Sequence, residues 1–132
     1  MSDLKTLQST KFADIELFSD YLKVVWKYYA NDEEFTGLIV ALARLANEHE
    51  IYKILIDARK FRGTSVESRA FVNEVFDKLA EERGKHITQS LVLGEDATGR
   101  FSLNKIVKDS AGKGENYRFF STVEEAEEEI NN

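Results

Sequence analysis

Hydrophobic positions change period several times along this chain, and each change marks an element. From residue 22 the large residues alternate: Leu22, Val24, Trp26 and Tyr28 fall on one side, Lys23, Val25, Lys27 and Tyr29 on the other. A period of two with large side chains predicts a strand with one buried face. Phe12, Ile15 and Leu17 predict a shorter strand before it, and the Ser19-Asp20 turn joins the two as an antiparallel hairpin. Residues 1–10 are polar and read as a frayed end.

The period then becomes helical. Asn31 or Asp32 caps a helix whose first turn holds Glu33 and Glu34. Phe35, Leu38, Ile39, Leu42, Leu45 and Ala46 form its apolar stripe. Residues 51–56 are nearly all apolar, as in a central strand buried on both faces, and the run stops at Asp57. Thr64 and Glu67 have capping-box spacing and open a second helix, with Val66, Ala70, Phe71, Val75, Phe76 and Leu79 inward and Gly84 at its end. Ile87, Leu91, Val92 and Leu93 give a further strand. Asp96 or Thr98 starts a third helix carrying Phe101, Ile106 and Val107. Gly112-Lys113-Gly114-Glu115-Asn116 reads as a loop, Tyr117, Phe119 and Phe120 as a last strand, and Ser121 or Thr122 as the cap of a short final helix. The expected order is β-β-α-β-α-β-α-β-α. That is an α/β fold with a mainly parallel sheet of about five strands, an antiparallel N-terminal hairpin and about four helices.

Composition narrows the function. The chain has 132 residues, enough for one domain with a sizeable core. It has no cysteine, which removes disulfides, thiolate metal sites and cysteine nucleophiles. It has no proline, so its turns rest on Gly, Asn, Asp and Ser. No secretion signal or membrane-length apolar run is visible, and a cytoplasmic setting is expected. The formal charge of −6 is a poor match for a phosphate backbone, so no nucleic-acid partner is expected. His49 and His86 have no metal-ligand spacing, no nucleophile–base arrangement can be assembled, and neither glycine-rich segment is a nucleotide fingerprint. No catalytic residue, metal or cofactor is therefore expected.

The candidate chemistry gathers where parallel strands end, the usual ligand edge of an open α/β sheet. Asp57 stands at such an end. It either meets a cation or phosphoryl group, or bonds its own loop and Arg59 or Arg62. Arg59, Lys60 and Arg62 are the one local basic cluster in an acidic chain, with Phe61 between them as an apolar anchor for a partner. Thr64 and Ser65 follow at a helix start. Thr64 serves as the cap, and a phosphate on either hydroxyl would meet the helix dipole and nearby cations. Gly94, Asp96 and Arg100 form the next loop on the same edge. Val25 and Tyr29, near a sheet edge, offer a surface for pairing two copies.

Several segments together resemble small bacterial proteins of the STAS-like superfamily, named for sulfate-transporter and anti-sigma-factor-antagonist domains. They are Val24-Val25-Trp26, Glu33-Glu34-Phe35, Ile54-Leu55-Ile56-Asp57-Ala58-Arg59, Gly99-Arg100-Phe101-Ser102 and Arg118-Phe119-Phe120-Ser121-Thr122-Val123-Glu124-Glu125-Ala126. The resemblance spans roughly residues 15–130 and rests on the order and spacing of these segments. It implies a non-catalytic regulatory module that binds a protein partner. Some members instead carry small or lipid-like ligands, which is the alternative expectation. In the best-known antagonists an Asp-Ser-Ser-Gly segment opens the second helix and is phosphorylated on Ser. Here Ala58-Arg59 follows Asp57, and the first hydroxyls are Thr64 and Ser65.

Overall fold

A computed structural model describes residues 5–111 and 114–131. The elements run β1 (Lys5–Ser9), β2 (Ala13–Leu17), β3 (Leu22–Trp26), α1 (Asp32–Glu48), β4 (Lys53–Ala58), α2 (Val66–Arg83), β5 (Thr88–Leu93), α3 (Ala97–Asp109), β6 (Tyr117–Phe120) and α4 (Val123–Ile130). The strands form one sheet in chain order, β1 through β6. β1, β2 and β3 pair antiparallel, and β3 through β6 are parallel. This is the α/β architecture that the pattern predicts, with one additional strand.

The additional strand is β1, inside the stretch expected to fray. It pairs on one side only, with β2, and only Leu7 packs against the core. Its polarity suits an edge, where apolar residues would invite unwanted pairing. Residues 1–4, and Gly112 and Lys113 of the expected 112–116 loop, lie outside the described residues, while Gly114, Glu115 and Asn116 form a turn.

Each parallel crossover steps to the next strand in the same direction, so the connecting helices land on one face. Residues of α1, α2 and α3 share a core with Ile15, Leu22, Val24, Trp26 and Ile54. α4 packs alone on the opposite face, where Val123, Ala126 and Ile130 meet Leu55, Val92 and Tyr21. β4 therefore buries both faces, as the apolar run Ile54-Leu55-Ile56 within it requires.

Local expectations differ at four places. Tyr28 does not continue the buried row, because β3 ends at Trp26, and it stands 63% exposed. α2 is capped by Ser65, whose side chain accepts from the Ser68 amide, and not by Thr64. The buried face of α2 is Ser68, Val72, Asn73, Phe76, Leu79 and Ala80, which turns Val66 and Ala70 outward. Two polar residues on the buried face hide it from a purely apolar reading: Ser68 donates to Asp32, and Asn73 to the Ile106 carbonyl. In α3 the buried side is Gly99, Ser102, Leu103 and Ile106, leaving Phe101 57% exposed.

Candidate functional site at the carboxyl edge of the sheet

β3, β4, β5 and β6 all end on the same edge, and the loops that follow them carry most of the residues expected to bind. Asp57 lies in a register row with Val25 and Val92, on the α4 face of the sheet. It is buried, and Arg59 closes on it: Nε donates to Oδ1 at 2.9 Å and Nη2 to Oδ2 at 2.8 Å. The Arg59 backbone amide adds a third bond at 3.3 Å. Burial pushes the Asp57 pKa up, but the bonds and charge of Arg59 outweigh it and hold the carboxyl below its usual range. The aspartate is thus committed to its own loop.

The next residues alternate in direction. Lys60 and Arg62 are exposed, and neither has an ion-pair partner among the described residues. Phe61 between them is buried, with its ring 5.0 Å from Trp26 and 6.0 Å from Phe35. It anchors the loop to the core from within and is not available as a partner-facing anchor.

The loop is also gripped from outside. A β-carbon on Gly94 would run into the Arg59 carbonyl, and one on Gly99 into the Phe61 carbonyl. Gly63 has φ +98°, in the region that favours glycine, and packs against Thr98. The Thr64 amide donates to Ser102 Oγ at 3.0 Å. The Arg59–Thr64 segment is therefore seated backbone to backbone against the turn from β5 into α3. Asp96 caps α3 by accepting from the Gly99 amide at 2.8 Å, and Arg100 Nη1 donates to the Gly94 carbonyl at 2.8 Å. Both residues hold this turn in shape.

Between the loops lies an open groove of about 700 Å³. Its lining includes Lys60, Arg62, Gly94 and Asp96, together with Lys27 and Tyr28, which sequence reasoning did not assign to the site. Lys27 is bound to Asp14 at 2.8 Å. Val25 and Tyr29, expected near an edge, lie on and just after β3. That strand is interior, since β1 and β6 are the edges.

A second feature beside the groove was not foreseen. Asp32, in the first turn of α1, accepts from Ser65 Oγ at 2.7 Å and Ser68 Oγ at 2.6 Å, with Thr64 Oγ1 at 3.5 Å. The hydroxyls of Ser68 and Ser65 lower its pKa. One carboxylate thereby ties the start of α1 to the start of α2. The participants are more than thirty positions apart, so no local pattern reports the contact. A phosphate on Ser65 would face this carboxylate.

The interior holds little space. The gap among Trp26, Phe61, Phe76, Leu91 and Ile106 measures about 40 Å³. Among the described residues no group of His, Asp and Glu is placed to hold a metal ion, and no helix is long and apolar enough to cross a membrane. No protein-family model matches the chain, and no curated protein matches it.

Proposed function

We propose that the chain is a non-enzymatic regulatory module that binds a protein partner through the carboxyl-edge groove, in the manner of STAS-like antagonists. The observation that carries this reading is the fixed loop from Arg59 to Thr64. Phe61 plugs it from below and Gly94 and Gly99 seat it from the side, so Lys60 and Arg62 stand outward at little further ordering cost. Two unpaired cations on a rigid loop, in a chain of net charge −6, favour a partner whose contact surface is acidic. Tyr28 beside them supplies a large, amphipathic contact. The reading includes a phospho-switch: phosphate on Ser65 would set two anions against each other across the α1–α2 contact and displace Asp32.

The apolar interior gap of about 40 Å³ is too small for a lipid-like ligand, and the groove of about 700 Å³, though of small-molecule size, is open and lined mainly by charged side chains; together they favour the module over a carrier of apolar ligands. The test places a photo-cross-linking amino acid at Tyr28 in the cells that make the protein. A discrete protein adduct is expected, lost when Lys60→Glu and Arg62→Glu are introduced together. An adduct indifferent to both charge reversals overturns the reading.

A further inference from the structure

The solvent side of α3 has a composition at odds with the rest of the molecule. Arg100, Phe101, Lys105 and Lys108 lie along it, and the helix contains one acidic residue, Asp109. Lys105 approaches Asp109 only at 3.9 Å, so this side of α3 carries three cations against one carboxylate in a chain of net charge −6, while α2 beside it exposes Glu67 and Glu74 and brings Asp77 to the Ala111 amide. Phe101 at 57% and Val66 at 66% are among the most exposed large apolar residues.

Arg69 joins these two residues. Its guanidinium lies 5.4 Å from the centre of the Phe101 ring and donates to the Thr64 carbonyl at 3.0 Å. Val66 stands one turn earlier on the same side of α2. The arrangement fixes a phenylalanine ring and an arginine in place and leaves both reachable; aromatic residues are enriched at interfaces, and arginine at their hot spots.

We propose that this α2–α3 face is a second part of the docking surface, and that it takes an acidic segment of a partner protein bearing one apolar side chain. Carboxylates of that segment would meet Arg100, Lys105 and Lys108, and its apolar residue would cover Phe101 and Val66. Charge complementarity favours this occupant. A nucleic acid long enough to reach beyond the patch meets a surface of the wrong sign. A bilayer would gain only one Phe and one Val, too little apolar area for stable attachment. The proposal rests on the module reading above, and names the chemistry of the partner for it.

The experiment places a photo-cross-linker at Phe101 in one full-length variant and at Tyr28 in another, in the producing cells, and sequences the captured peptide. The expected result is a net-negative peptide at Phe101, from the same protein captured at Tyr28. Its yield should fall about tenfold or more with Arg69→Glu and Lys105→Glu, the loss typical of a hot spot. A neutral or basic peptide, a nucleic acid or a lipid at Phe101 overturns the proposal. Capture at Tyr28 with none at Phe101 also overturns it, while sparing the module reading. Capture at neither position removes both. Thermal melts of each variant confirm that the fold is intact.

Discussion

Asp57 and Arg59, two positions apart, form a closed pair at the end of β4: two side-chain bonds of 2.9 and 2.8 Å join guanidinium to carboxylate. The carboxylate is buried and the guanidinium faces solvent. Removing Arg59 strands a buried anion, whereas removing both partners does not. Arg59→Ala should therefore cost about 1–3 kcal/mol, with Asp57→Asn recovering part of the loss in the double variant. Urea unfolding of the four-member cycle measures the coupling.

The same pair sets an acid limb. The Asp57 carboxyl is held below its ordinary value, so its contribution is present above the unfolded-state value of about 3.9 and is lost as pH falls through the folded value. Wild type should lose stability on acidification below about pH 4, and Asp57→Asn should flatten that part of the profile. Melting temperature measured against pH gives the comparison.

Gly94 and Gly37 should respond to alanine in opposite directions. At Gly94 the added carbon collides with the Arg59 carbonyl, and a loss of about 3 kcal/mol is expected. At Gly37, exposed within α1, nothing lies within 4 Å, and alanine should stabilise by about 0.5–1 kcal/mol. Chemical denaturation of both variants decides whether the glycine contact is what seats the loop.

Ser65 and Thr64 are neighbours with different duties. Ser65→Ala removes the cap of α2 and should cost about 1 kcal/mol, while Thr64→Ala should stay within about 0.5 kcal/mol. Equal losses would contradict the cap assignment. Asp32→Ala should abolish the difference between Ser68 and Ser68→Ala proteins, since both hydroxyl and carboxylate belong to one contact.

Tyr117 gives an alkaline counterpart. Burial, with the charge of Asp77, pushes its phenol up to about 12, while Gln89 Nε2 donates to its oxygen at 3.2 Å. A raised value means that folding favours the neutral phenol. Its contribution is complete below the unfolded-state value of about 10 and is lost as pH rises toward the folded one. Burial raises the Tyr21 phenol as well, so phenolate absorbance should show fewer tyrosines titrating at about pH 10 in wild type than on unfolding, and the difference should shrink by one phenol in Tyr117→Phe.

Much of this fold is legible in residue patterns. Periodicity locates α1, and the nearly all-apolar run of residues 51–56 correctly signals a strand buried on both faces. The misses share a cause: they depend on what lies across space. β1 is polar because it has one neighbour. Alternation runs past Trp26 to Tyr28, although pairing stops. Phe101 fits a helical apolar spacing, yet the buried side of α3 is defined by Gly99 and Ser102, which lie close against the Phe61–Thr64 segment. In the site, the basic cluster and Asp57 are visible in sequence, but the Arg59 pairing was one option among several. The plug by Phe61, the seating of the loop by Gly94 and Gly99, and the Asp32 contact required the assembled sheet.

The unshared face beneath α4 has a consequence for the order of assembly. During synthesis β4 and β5 can pair and receive α1, α2 and α3 before residues 123–130 emerge. Until they do, Leu55 and Val92, both fully buried in the folded protein, lack the cover of Val123, Ala126 and Ile130. A chain truncated after residue 120 would carry all six strands with an apolar strip lacking the cover of α4. α4 is thus the element that closes this face of the sheet, and it follows every strand that it covers.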